Sequence, residues 1–205
     1  MTSRRREYFA TSIFEGRIED HRELNRDIRS AAMSFAEEDE AGKRWSRAHG
    51  FPGYTSYGSL SDLPARAPCF AALKKALDAA AAEFARALAF DLGRGRARLD
   101  NMWVNVLAPN GVHSGHIHPH AMLSGAYYVD APPGSAALKF EDPRLAMMMA
   151  APPRRQDAPD GQRSFVYVAP EPGMYLMWES WLRHEVVRHA GRRKRISVSF
   201  NYRWA

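Results

Sequence analysis

Four of the eight histidines of this 205-residue chain fall within eight positions: His113, His116, His118 and His120, in the run HSGHIHPH. On an extended strand side chains alternate faces, so His116 and His118 point the same way and Ile117 the other. Imidazoles at i and i+2 converge on one ion, which makes the pair a two-point chelate for a transition metal. A third ligand must come from elsewhere in the chain. His184, in the strand-like SWLRHEVV, is the leading candidate, and His189 follows five residues later, nearer a turn. Pro119 cannot donate a ladder hydrogen bond and is expected to end the strand just past His118, which leaves His120 beside the ligands rather than among them. The competing reading is an adventitious cluster on a surface loop, and H-x-H alone does not decide between the two.

Three further groups could act beside a metal. On a strand, Arg195, Ser197 and Ser199 of RISVSFN share one face and Ile196, Val198 and Phe200 share the other. An arginine on an inner face needs a partner, because a buried unpaired guanidinium is very costly. A carboxylate ligand would supply one: arginine grips it with two parallel hydrogen bonds, and a hydroxyl two residues on adds another. The alternative is an edge strand with Arg195 turned outward, continuing Arg192, Arg193 and Lys194. In LSGAYYV, Tyr127 or Tyr128 could present a hydroxyl to an acid, or both could be core aromatics. Asn105 shares a strand face with Trp103, either as a pocket hydrogen-bonding group or as a structural amide. Glu141, Asp142 and Arg144 read as a salt-bridged corner or as a substrate rim, with the corner favoured.

The elements that must position these residues fall into two textures. Up to about Gly95 the chain reads helical. Asp20 would cap a helix to about Glu38 with Leu24, Ile28, Ala31, Ala32 and Phe35 on one stripe. A loop-rich stretch spans His49 to Pro68. A second helix runs from about Cys69 to Phe90, its stripe Phe70, Leu73, Leu77, Ala81, Phe84 and Leu88 facing a sheet, with Gly93 and Gly95 ending it. From Arg96 the period becomes two. Strand-like runs at about 98–107, 112–118, 122–130, 136–140, 164–169, 174–178, 183–188 and 195–203, separated by Pro/Gly/Asn turns, predict a β-sandwich or barrel. The insert from Asp142 to Arg163, with Met147, Met148 and Met149, reads as a partly ordered loop near the barrel mouth.

Composition narrows the class. At roughly 100–200 residues per domain the length predicts a single domain. Apolar residues make up 45% and charged residues 25%, which is ordinary globular usage. The lone cysteine, Cys69, excludes a disulfide framework or a Cys-based zinc cluster within one chain and is consistent with a cytoplasmic protein. No apolar run approaches the length of a membrane span, and no apolar segment follows the basic N-terminus as a signal peptide requires. The net charge is +6, and seven basic residues lie in the last 23 positions. That permits anion binding, but no basic repeats interleaved with aromatics point to nucleic acid.

The run WVNVLAPNGVHSGHIHPHAMLSGAYYV, then SWLRHEVV, then RRKRISVSFN, resembles the 2-oxoglutarate/Fe(II)-dependent oxygenase superfamily. More narrowly, it is similar to a bacterial oxygenase family with an H-x-H-P…S-G-x-Y-Y-V segment. The likeness covers about residues 99–203, and GYTSYGSLSDLP and KFEDPR extend it upstream and within the insert. It implies a double-stranded β-helix, a squashed jelly roll with the N-terminal helices packed on one sheet. It also implies Fe(II), 2-oxoglutarate and O2, with release of succinate and CO2 as a substrate C–H bond is hydroxylated. Mapped by position, His116, His118 and His184 become the metal ligands and the catalytic centre. Arg195, eleven residues beyond His184, with Ser197, Tyr127 or Tyr128 and Asn105, becomes the cosubstrate site. The superfamily pattern is His-x-Asp/Glu with a distal His, so His118 stands where a carboxylate is usual. None of Glu141, Asp142, Glu179 and Glu185 has the spacing to replace it.

Two other readings stay open. A cupin-like metalloenzyme could use the three histidines without 2-oxoglutarate, leaving Arg195 without a role. A non-catalytic jelly-roll binding module would leave the histidines incidental. The substrate, a small molecule or a peptide, is not legible. The loops at 49–68 and 142–163 are expected to shape its pocket, and the Met/Pro-rich insert could serve as a lid or a homodimer contact.

Overall fold

The computed structural model describes residues 2–205. Its described strands form two antiparallel sheets. In chain order they are β1 (Ile13–Arg17), β2 (Gly53–Thr55), β3 (Ala97–Leu107), β4 (His113–His116), β5 (Leu123–Asp130), β6 (Leu138–Glu141), β7 (Phe165–Val168), β8 (Met174–Glu179), β9 (His184–Val186) and β10 (Arg195–Trp204). The larger sheet runs β1-β8-β5-β10-β3-β2 and the smaller β4-β9-β6-β7. All eight expected strands are present, in the double-stranded β-helix that the family resemblance implies.

Alternation along β10 sorts the interior into two layers. Ile196, Val198, Phe200 and Tyr202 join a core shared with the helices, while Arg195, Ser197 and Asn201 are buried on the opposite face. The helical side is covered by α1 (His21–Glu38) and α4 (Pro68–Ala87), which supply Ile28, Ala32, Phe70, Leu73, Leu77, Ala81 and Phe84. The second core lies between the sheets, where Ala126, Tyr128, Leu176 and Trp178 meet Leu138, Phe140 and Leu182. Gly125 serves that arrangement. It pairs with Phe200 across β5 and β10, and a Cβ there would run into the Phe200 ring and the Leu176 carbonyl.

The N-terminal half departs from its expected texture. It contributes two edge strands, β1 and β2, five and three residues long, too short to show a period. It also holds an additional helix, α2 (Glu40–Ala48), where Asp39 accepts a hydrogen bond from the Gly42 N–H at 2.9 Å. A one-turn helix, α3 (Leu63–Arg66), precedes α4. Asp20 does precede α1, but its backbone is left-handed and its side chain makes no cap bond. Gly93 and Gly95 do not end the second helix. It stops at Ala87, and Ala89 takes the left-handed conformation just beyond, at φ 54°.

Candidate metal centre and its cleft

His116 closes β4 and His184 opens β9, and the two are direct partners in the antiparallel ladder. His118 lies just past the end of β4, where its N–H donates to the Ser180 carbonyl at 3.0 Å. One ring nitrogen from each of the three lies within 4.8 Å of the others. Ring centroids are 4.4 Å apart for His116–His184 and 5.1 Å for His118 with either neighbour. Among the described residues this is the one group of His, Cys, Asp and Glu close enough to hold an ion. The nearby carboxylates are engaged elsewhere. Glu185 bonds Lys139 at 2.9 Å, Glu141 faces Arg183 at 3.5 Å, and Asp142 bonds Arg144 at 2.8 Å, which makes the 141–144 segment the favoured corner.

The donor set fits a divalent metal. Each Nδ1 points at an oxygen: His116 at the Ser114 carbonyl (2.7 Å), His184 at the Leu182 carbonyl (2.8 Å) and His118 at Asn201 Oδ1 (2.6 Å). These oxygens accept, so each Nδ1 carries the proton and each Nε2 keeps a free lone pair. Three neutral imidazoles oriented this way suit a first-row divalent ion. Burial, with the neighbouring imidazoles, holds His184 down to about 3. Burial also lowers His116 and His118, partly opposed in His118 by its bond to Asn201.

This has a pH consequence. The unfolded chain protonates these histidines near 6.5, whereas folded His184 resists protonation down to about 3. Between those values the unfolded state binds more protons, so stability falls as pH drops from 6.5 toward 3. Melting of the metal-free protein from pH 8 to 4 is expected to show Tm steady above 6.5 and declining below it. A His184→Phe variant should decline less.

Behind His118 lies a hydrogen-bonded network. Asn201 accepts from His118 and Ser124 and donates to Asn101 Oδ1 at 2.9 Å, while Ser124 also meets Ser180 at 2.7 Å. Partners of this kind are worth about 10–100-fold in metal affinity. Asn201→Ala should therefore weaken Co(II) binding by about that factor, and Asn201→Asp, which keeps the acceptor, should restore most of it. Sequence reasoning did not assign this network. Asn201 was within reach, one step further along the Arg195–Ser197–Ser199 alternation, but Ser124, Ser180 and Asn101 carry no local signal.

The remaining residues divide. Arg195 is inward and only 3% exposed. Its one hydrogen bond goes to Ser197 Oγ at 3.4 Å, its guanidinium lies 4.9 Å from the Tyr128 ring centre, and its Nε has no partner. No carboxylate among the described residues pairs with it, and burial pulls its pKa below the usual guanidinium range. The Tyr128 hydroxyl is likewise buried and unpartnered. Tyr127 corrects the sequence expectation. It faces the helical layer, where its hydroxyl donates to Asn25 Oδ1 at 2.5 Å, because adjacent strand residues must take opposite faces. Asn105 lines the cleft, bonded to Thr55 at 2.8 Å and Ser199 at 2.9 Å. His189 stands apart, its Nε2 bonded to the Arg193 carbonyl at 2.6 Å. His120 is exposed, at φ 71°.

His116, His118, His184, Arg195, Ser197 and Ser199 line a single cleft. It adjoins a cavity of about 300 Å³ that shares His116 and His118. The 49–68 segment lines that cavity through Phe51, Thr55 and Tyr57, as expected. The 142–163 insert lines neither space. It borders a separate groove with residues 5–13, so it does not sit at this mouth.

Residues 101–201 match the family described as "Putative 2OG-Fe(II) oxygenase". This segment, about half of the chain, belongs to the 2-oxoglutarate/Fe(II) oxygenase superfamily. Solved structures with the same fold include a Pseudomonas putida prolyl-4-hydroxylase (16% identity, 94% of this chain and 93% of that one, TM-score 0.63). The epimerase SnoN in complex with Fe3+ and alpha ketoglutarate is similar at 14% identity (95% and 79% covered, TM-score 0.64). EctD from S. alaskensis with bound Fe is also 14% identical (95% and 73% covered, TM-score 0.63). No curated protein matches the sequence. Within this oxygenase the whole histidine set and Arg195 fall inside the matched 101–201 segment.

Proposed function

We propose that the oxygenase holds Fe(II) through His116, His118 and His184 and 2-oxoglutarate through Arg195, Ser197 and Tyr128. When bound, the metal and cosubstrate supply the oxidation, in which 2-oxoglutarate and O2 become succinate and CO2 and a substrate C–H bond becomes C–OH. The substrate is a small molecule or a peptide. The observation that carries this reading is Arg195, a buried guanidinium without a carboxylate partner, in the cleft shared by the three histidines.

The chain's own residues would divide the work. The Nδ1–H bonds of the histidines would leave the three Nε2 lone pairs free to hold one ion. Arg195 and Ser197 would receive the carboxylate remote from the keto group, and the unpartnered Tyr128 hydroxyl would donate to the same acid. Leu107, Leu138, Val186 and Trp178 give the cleft an apolar wall. On this reading the helical part up to about residue 95 and the β core after it act as a single domain.

The test is turnover. Protein reconstituted with Fe(II) and given 2-oxoglutarate in air should form succinate and CO2 in equal amounts, slowly even without substrate, and Arg195→Ala should abolish it. Tight iron binding with no succinate would favour the cupin-like alternative.

A further inference from the structure

The cavity outside the metal cleft has a chemical bias at odds with the chain's net charge of +6. Among the described residues, no lysine or arginine lines it. Its one carboxylate is Asp100, partly exposed at the rim and 3.4 Å from Arg203. Its wall is a row of rings from three separate elements. Trp45 of α2 meets Tyr57, from the loop after β2, edge-on at 5.4 Å. Tyr57 meets Trp103 of β3 edge-on at 5.0 Å, and Trp103 lies 5.9 Å from His118. The row thus descends from exposed Tyr57 to buried Trp103 and on to the metal ligands.

The fold holds this wall in place with a polar clamp rather than leaving it to a mobile loop. Asp39 caps α2 and accepts from the Tyr54 hydroxyl (2.8 Å) and the Ser59 hydroxyl (2.5 Å), tying the helix that carries Trp45 to the strand and turn on either side of Tyr57. Burial pushes the Asp39 carboxyl up, but bonds from Ser59, Gly42 and Tyr54 hold it net below its usual value, as an ionised clamp requires. Trp45 is further fixed by His49 stacked at 4.0 Å.

Electron-rich ring faces attract weakly hydrated cations and reject anions, and the exposed Asp100–Arg203 pair at 3.4 Å is weak enough to leave the carboxylate open to a second cation. Three neutral histidines add no charge, so a 2+ metal with a 2− cosubstrate would leave the neighbouring cleft with only the single positive charge of Arg195, itself met by the cosubstrate's carboxylate.

We propose that the substrate enters this cavity with an alkylated ammonium group seated against Trp45, Tyr57 and Trp103, with Asp100 as its counter-charge. The proposal rests on the oxygenase reading for the identity of the site as a substrate site, but its test does not require turnover. Three probes of similar shape and different charge separate the possibilities: choline, the uncharged 3,3-dimethylbutan-1-ol and the anionic 3,3-dimethylbutanoate. Binding is measured by tryptophan fluorescence and calorimetry on the full chain under nitrogen, with and without Fe(II) and 2-oxoglutarate.

Choline should bind about tenfold more tightly than the neutral alcohol, and the acid should not bind. Tyr57→Leu, at an exposed position, should remove most of choline's advantage. Asp100→Asn should weaken choline by a few-fold and leave the alcohol unchanged, a difference that a purely structural role would not produce. Equal binding of choline and alcohol would show a merely apolar pocket and overturn the proposal. So would preference for the acid, or no binding of any probe. Each of these outcomes leaves the succinate assay standing, and failure of that assay leaves the choline preference readable.

Discussion

Arg195→Met is expected to abolish measurable 2-oxoglutarate binding and at the same time to stabilise the ligand-free protein. The two effects have one origin. The guanidinium is 3% exposed, touches a serine hydroxyl and a tyrosine ring, and leaves its Nε unpaired. Replacing buried charges by apolar groups of similar volume is often neutral or stabilising by about 1–4 kcal/mol. The same charge, met by a carboxylate, gains hydrogen bonds worth about 1.5–3 kcal/mol each. Two such bonds lost correspond to at least a hundredfold weaker binding, by the rule of about 1.4 kcal/mol per factor of ten. Chemical denaturation of the metal-free protein and calorimetry with 2-oxoglutarate read the two effects separately. Arg195→Lys keeps the charge but loses the fork, and should fall between the wild type and Arg195→Met in affinity. A destabilised Arg195→Met protein that still binds 2-oxoglutarate would mean the arginine is structural.

His184→Ala should lower Fe(II) affinity by about a hundredfold or more, the largest loss among the three ligands. His184 is the most buried of the three, wedged against Trp178 at 4.6 Å between ring centroids. Its ladder partner is His116, so it joins the two halves of the site across the β4–β9 pair. The substitution also leaves space under Trp178, so some loss of stability accompanies it. His189→Ala separates the two consequences. His189 is fully buried but bonded to the Arg193 carbonyl, away from the cluster. It should cost stability and leave metal affinity within about twofold. Anaerobic competition against a chromophoric chelator measures both variants, and equal losses would remove His184 from the ligand set.

Much of this site was legible because its chemistry lies on alternating strands. The i, i+2 spacing of His116 and His118 and the alternation of Arg195, Ser197 and Ser199 carry face information in the sequence itself. The register that makes His184 the partner of His116, rather than His189, depends on how β9 pairs, and no local pattern encodes it. Tyr127 and Tyr128 are equal by composition, and only the strand's orientation in the finished sheet separates the one bonded to Asn25 from the one beside Arg195. The aromatic wall was not legible for a similar reason. Trp45, Tyr57 and Trp103 are far apart in sequence and meet through α2, a short and largely polar helix whose packing is tertiary.

On the proposed function, one cleft joins a three-histidine metal site to an arginine that receives a carboxylate. An anaerobic titration of the Fe(II)-loaded protein with 2-oxoglutarate, followed in the visible spectrum, tests that pairing. A charge-transfer band that grows to saturation in the wild type and is lost in Arg195→Met is the predicted result. Tightly bound iron with no band at any concentration of 2-oxoglutarate would contradict it.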